Sequence, residues 1–214
     1  MKRSLFLAAL AVGLLTSAAR AQNAPTYEVD TNASRVYIRV DRTNRLGHNH
    51  GVEGMFASSS VTLGGTGKFV FDMTTFTADT AQARKYVGVD GNVSAADANK
   101  VNDNMRGAQV LDVTRFPTAT FTIGSCNPAD RQAIGAAGRY LLEGQFTLHG
   151  VTRQLQILAE LAGTNTPGVV SLKGWFKVKQ TDFGIRPFTA AAGAVGIDDT
   201  ITIYGDLYLR AAAR

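Results

Sequence analysis

Tyr140-Leu141-Leu142-Glu143-Gly144-Gln145-Phe146-Thr147-Leu148-His149-Gly150 decides the fold class. Tyr140, Leu142, Gly144, Phe146 and Leu148 occupy every second position, and Leu141, Glu143, Gln145 and Thr147 fall between them. Period two places alternate side chains on opposite faces of a strand. Gly150 marks a turn, after which Leu155, Ile157, Ala159 and Leu161 resume the rhythm. Upstream it recurs at Val36, Ile38 and Val40, at Phe69, Phe71 and Met73, and at Ala119, Phe121 and Ile123. Downstream it recurs at Val170, Leu172, Gly174, Phe176 and Val178, and at Ile201, Ile203, Gly205, Leu207 and Leu209. These runs make at least seven strands, and residues 52–63 supply one or two more. One apolar and one polar face per strand implies an antiparallel sheet with water on one side. Turn signals at Gly64-Gly65, Asn127-Pro128, Gly150 and Pro167-Gly168 separate the runs, as in a sandwich or a barrel.

One segment departs from period two. Ser94 is a good N-cap, and Ala95, Ala96, Ala98, Val101 and Met105 follow near helical spacing, which predicts one helix near 94–109. Val110-Leu111-Asp112-Val113 then leads into Phe116-Pro117, with Leu111 and Val113 placed to pack beneath the helix. Pro117 suits the first position of a strand, where no ladder N–H is required.

The chain has 214 residues and a formal charge of +5. Lys2 and Arg3, the apolar run Leu5 to Leu15 and the small-residue site Ala19-Arg20-Ala21 read as a secretory signal over 1–21. The run is shorter than the roughly 20 apolar residues of a membrane-spanning helix. Residues 22–214 then form one domain. Loss of Lys2, Arg3 and Arg20 takes the 22 basic residues to 19 against 17 acidic ones, a charge of +2. The basic residues are scattered, so nucleic-acid binding finds no support. Cys126 is the single cysteine, which excludes an intramolecular disulfide. It falls in the turn-like run Gly124 to Pro128 and is read as chemically passive.

No nucleophile elbow, phosphate-binding glycine loop, His-Glu-x-x-His or paired-cysteine motif is present, so the chain does not read as an enzyme. His48 and His50 are the strongest candidates for specific chemistry. In an extended Leu46-Gly47-His48-Asn49-His50-Gly51 they point to the same side, where two imidazoles can share a transition metal or one can meet a ligand. Glu53 is a further candidate ligand; His149 sits on the polar parity of its own strand. The alternative is an ordinary solvated loop. The inward faces carry Val36, Ile38, Phe69, Phe71, Phe121, Phe146 and Phe176, with small residues at Ala119, Gly144, Gly174 and Gly205. In a closed barrel of about eight strands such a mixture either fills the interior or leaves room for one small ligand. Trp175 lies on the polar face among Lys173, Lys177 and Lys179, a pattern suited to a solvated strand or to a transient membrane contact.

Five short motifs, in order, resemble the YceI-like family. They are Tyr27-Glu28-Val29-Asp30 with Ser34-Arg35-Val36-Tyr37-Ile38; Gly54-Met55-Phe56; Asp112 to Phe121; Gly144 to Arg153; and Asp182-Phe183-Gly184. Leu111 stands where the family commonly has Phe, Gln154 where it has Pro, and Gln180-Thr181 where an Asn-Arg pair is common. The resemblance spans about residues 27–209. It implies an all-β, extended antiparallel lipocalin-like barrel with a helix near one end. It further implies a periplasmic carrier that holds an isoprenoid-type amphiphile, polyprenyl or quinone-like, in an apolar interior, and it is compatible with a homodimer. On this reading the lipid is the ligand, no cofactor or metal is required, and Val36, Ile38, Phe69, Phe71, Phe121, Phe146, Phe176, Phe183, His48 and His50 would contact it. A metal-binding protein built on His48 and His50 is the alternative.

Overall fold

The computed structural model describes residues 24–43 and 47–212; the secretory signal expected over 1–21 lies outside them. Eleven strands pair throughout in antiparallel fashion. They are β1 (Thr26–Val29), β2 (Arg35–Arg42), β3 (His50–Phe56), β4 (Ser60–Thr62), β5 (Gly67–Ala78), β6 (Thr118–Pro128), β7 (Gly138–Leu148), β8 (Val151–Gly163), β9 (Val169–Lys179), β10 (Thr189–Ala190) and β11 (Val195–Ala211). Eight of them close a barrel: β2, β3, β5, β6, β7, β8, β9 and β11 run in chain order around the wall, and β11 returns to β2. The meander leaves the eight strands no free lateral neighbour, which removes the edge problem of an open sheet. Short β1 bridges β4 and β11, and β10 adds to β11.

The alternation has the consequence its period predicts. Phe69, Phe71, Phe121, Phe146, Leu142, Leu148, Leu161, Leu172, Ile203 and Leu209 are all buried in one continuous core. Three interruptions re-aim side chains. Within β5 the inward parity passes from Met73 to Phe76, and Gly54 across on β3 leaves the space: a Cβ there would lie 2.4 Å from the Phe76 ring. In β11 the register slips between Ile197 and Ile201, and Asp198 and Asp199 sit in the slip. In β6 it slips between Ile123 and Ser125. That bulge turns Cys126 inward, fully buried, so the expectation of a turn over 124–128 gives way to a continuous strand. A bulge is invisible to a parity count because it preserves strand composition while exchanging faces. Burial pushes the Cys126 thiol up to about 11. A thiol-specific reagent at pH 8 is expected to leave Cys126 untouched in the folded chain and to label it once denaturant is added.

The β7–β8 hairpin turns on His149 and Gly150, with φ of 52° and 76°. Two successive positive φ values suit the twist of a two-residue hairpin, and glycine takes the second at little cost. His149 is thereby placed against the Phe116 ring, 4.5 Å between centroids, and does not join the cluster of His48 and His50.

Two helices leave the wall. The second, α2 (Ala95–Arg106), is the one expected; Ser94 caps it by accepting from the Asp97 N–H. It bears no fully buried residue and lies across one end of the barrel. Asn102 Oδ1 accepts from the Ala78 N–H at 2.7 Å, and Arg106 donates to the Phe76 carbonyl at 2.6 Å and 2.9 Å. Leu111 and Val113 are half-buried against the core, as the sequence suggested. The shorter α1 (Ala81–Tyr86) was not anticipated. Its Thr80 cap accepts from the Ala83 N–H, and Ala83 lies so close to Gly51 that a Cβ on Gly51 would sit 2.8 Å from its carbonyl carbon. A six-residue helix with one small buried face carries too little periodic signal to be read.

Candidate functional site

The barrel interior is not filled. A cavity of about 490 Å³ lies beneath α2, walled by β2, β3, β5, β6, β7 and β11 and by the segment after β9. Val36, Ile38, Phe71 and Phe146 line it, together with Met73, Phe76, Val101, Met105, Ile185 and Ile203. Val36, Phe71 and Ile203 also line a smaller cavity of about 40 Å³ deeper in the barrel, which reaches Phe69, Phe121 and Phe176. The two therefore form a graded interior, wide under the helix and narrow below. Volumes of about 300–1,000 Å³ with apolar walls and few polar groups are typical of small-molecule sites.

Ten residues were expected to meet a ligand, and they divide by depth. Val36, Ile38, Phe71, Phe146, His48 and His50 border the large cavity. Phe69, Phe121 and Phe176 border the small one. Phe183 borders neither. It sits on a turn of 3-10 helix, Gln180–Phe183, and its ring packs edge-on against Phe146 at 5.5 Å. Gly184 takes φ of 71° to end that turn. The Asp-Phe-Gly triplet thus tucks a buried ring into the core just after β9, and β8 and β9 themselves pair only over Ala159–Gly163 and Val170–Gly174. The four small inward residues also separate. Ala119 opens the large cavity and Gly174 and Gly205 the small one. Gly144 makes room for backbone: a Cβ there would lie 2.1 Å from the Thr122 carbonyl oxygen.

The cavity mouth is polar. Arg42, His48, His50, Asp97, Lys100 and Asn104 border it, and Gln180 lines the cavity from a buried position. Asp79, outside the sequence expectation, organises this end. It holds φ of 62°, where Asp is tolerated better than most residues, at the junction of β5 and α1. Its carboxylate is fully buried. Oδ1 accepts from Arg84 Nη1 at 2.7 Å and from the Gly51 N–H at 3.3 Å. Oδ2 meets His50 Nδ1 at 2.7 Å and lies 3.6 Å from His48 Nε2. Burial alone would raise the Asp79 pKa, but the bonds from His50, Arg84 and Gly51 outweigh it and hold the group below its ordinary 3.8. Arg84, also buried, donates to the Gly91 carbonyl at 3.0 Å, to the Asn49 carbonyl at 3.1 Å and to the Asp90 carbonyl. The His48 and His50 rings lie 4.4 Å apart, so the pair does face one side. Glu53 does not join them; its carboxylate accepts from the Thr80 hydroxyl at 2.6 Å. Nothing in the run around Asp79 marks it as a site residue, because the contact depends on a left-handed turn and on a helix too short to read.

Fold and cavity define a class: a β-barrel that encloses an apolar chamber with a polar rim. The chain belongs to the YceI-like domain family, whose model matches residues 27–209. It is similar to a UPF0312 protein of Shewanella oneidensis, 30% identical over 87% of this chain and 89% of that one. It also resembles a UPF0312 protein of Vibrio cholerae, 26% identical over 90% and 93%. Among solved structures it superposes on a polyisoprenoid-binding domain from Saccharophagus degradans. The TM-score is 0.57 and the identity 14%, over 87% of this chain and 98% of that domain, a likeness of fold.

Proposed function

We propose that this protein is a periplasmic carrier that sequesters an isoprenoid-type amphiphile, polyprenyl or quinone-like, with its tail in the barrel and its polar end at the rim. The observation that carries the reading is the graded apolar interior, about 490 Å³ narrowing into about 40 Å³, opening at a polar mouth. A long apolar chain gains roughly 0.8 kcal/mol for each CH₂ withdrawn from water, so retention needs no dedicated polar clamp. The family and the polyisoprenoid-binding neighbour agree with a lipid ligand. The role is binding rather than catalysis. Purified protein is expected to release a stoichiometric isoprenoid on organic extraction, with a native mass exceeding the polypeptide by that lipid. A bare polypeptide mass from its own host would overturn the reading.

A carrier must exchange its cargo with a membrane. Trp175 on β9 is 59% exposed and Leu158 on β8 is 46% exposed, on the outer wall just below the point where the β8–β9 ladder ends. Lys177 and Lys179 flank them, opposite Thr202 and Thr200 on β11. We place the membrane contact on this face. Trp175 is the only tryptophan, so its emission reports the contact directly. A blue shift on adding phosphatidylglycerol vesicles is expected, and emission unchanged by vesicles would exclude this face.

A further inference from the structure

The geometry points to a divalent transition-metal site at the cavity rim, formed by His48, His50 and Asp79, with zinc the best-matched ion. Their ligand atoms lie within 4.8 Å of one another. Two imidazole nitrogens and one carboxylate oxygen form a donor set that suits zinc and its first-row neighbours and disfavours calcium or magnesium.

Three features distinguish this cluster from a chance meeting of polar groups. Asp79 divides its carboxylate cleanly. Oδ1 is taken by Arg84 and the Gly51 N–H, which leaves Oδ2 aimed at the two rings. Such outer partners fix the orientation of a metal-binding carboxylate. Arg84 stands on the far side, held by the carbonyls of Asn49, Asp90 and Gly91, so its charge answers Oδ1 rather than the space between the rings. His48 Nε2 is shielded from solvent yet finds no hydrogen-bond partner among the described residues, an uncommon condition for a buried ring nitrogen.

The two distances to Asp79 require only a small adjustment, and the two rings, whose ligand atoms lie within 4.8 Å, must close on each other. Ligands at 2.0–2.1 Å around a tetrahedral ion lie about 3.3 Å from each other. His50 Nδ1 and Asp79 Oδ2 are now 2.7 Å apart and His48 Nε2 and Asp79 Oδ2 3.6 Å. The first must open by about half an ångström and the second close by less, within the reach of a ring rotation. The ion takes the place of the hydrogen between His50 Nδ1 and Asp79 Oδ2, and His50 ligates as the neutral tautomer that carries its proton on Nε2. Three protein ligands leave a fourth position open, as in non-structural zinc sites. Because both rings border the large cavity, that position faces the chamber, where water or an oxygen of a bound molecule completes the shell.

The test uses the mature protein without a histidine tag, stripped with a chelator. Calorimetric titration with Zn²⁺ is expected to show one saturable site. Zinc at a hundred times its Kd should raise Tm by about 5–10 °C. Co²⁺ in its place should give the visible bands of a four-coordinate nitrogen–oxygen site. His48→Ala and His50→Ala should each weaken zinc binding by at least about 100-fold, and the double variant should abolish the cobalt bands. His48 is half-exposed, so its substitution leaves the fold intact and keeps the test valid should His50→Ala prove unstable. Absence of saturable uptake by the wild-type protein, or uptake undiminished in folded His48→Ala, would overturn the proposal. Lipid content is read separately by solvent extraction, so neither result bears on the carrier reading.

Discussion

Replacing Arg84 with Met is expected to lower stability by about 3–5 kcal/mol, enough to bring a barrel of this size close to its unfolding threshold at growth temperature. Met matches the stem of Arg84 but leaves the fully buried Asp79 carboxylate without its cationic partner. The variant also frees the carbonyls of Asn49, Asp90 and Gly91, which depend on the same guanidinium. Burying two opposite charges confers little net stability over an apolar pair, but removing one of them strands the other in a low dielectric. Urea denaturation followed by far-UV circular dichroism measures the loss. A midpoint within about 0.5 kcal/mol of wild type would show that water or His50 compensates Asp79 unaided. The same carboxylate sets an acid limit. Its pKa is depressed in the folded chain, so its contribution is complete above the ordinary 3.8 and is lost as pH falls through the lower folded value. Acid unfolding of wild type should therefore begin below about pH 4, and the Arg84→Met variant should show a weaker acid dependence in that range.

What could be read from the sequence and what could not divide along physical lines. Alternation at Tyr140 to Leu148 survives in the structure because both faces of a barrel strand are defined over its whole length: one sees the core, the other water. The Ser94 cap and the α2 that follows it were legible for a similar reason, since capping is a local bond between Ser94 and the Asp97 N–H. The site was legible only where it inherits that alternation, at Val36, Ile38, Phe71 and Phe146. Three sorts of information escaped. Bulges exchange the faces of Cys126 and Phe76 without changing strand composition. Depth is not encoded in parity, so Phe121 and Phe146, both inward and directly paired, end in different cavities. Long-range polar contacts such as Asp79 with His48 and His50 depend on where separate turns come to rest. The motif glycines and Phe183 show the converse: Gly54 accommodates Phe76, and Phe183 packs edge-on against Phe146. These motifs are explained by packing around the chamber more than by contact with its contents.

That distinction identifies the substitution with the largest expected effect on lipid retention. Ala119→Phe should empty the chamber while the barrel stands. Ala119 is 2% exposed and borders the large cavity, opposite Phe71 across the β5–β6 ladder. A phenyl ring added there grows into free volume, so the overpacking cost of about 1–3 kcal/mol seen in filled cores does not apply in full. The ring would instead occupy the space of about one isoprene unit. Excluding four or five carbons at roughly 0.8 kcal/mol each costs about 3–4 kcal/mol of binding, a loss of several hundredfold in affinity. Phe146→Trp is less clean, because Phe146 already packs edge-on against Phe71, Phe176 and Phe183, and a larger ring must displace one of them. Extraction of folded Ala119→Phe should yield less than a tenth of the lipid carried by wild type, with Tm changed by only a few degrees. A variant that keeps both its Tm and its full lipid load would place the tail outside the chamber, on the surface of the barrel. Loss of lipid together with collapse of Tm would instead show that the cavity is a packing defect the fold cannot fill. The carrier reading requires the two quantities to separate.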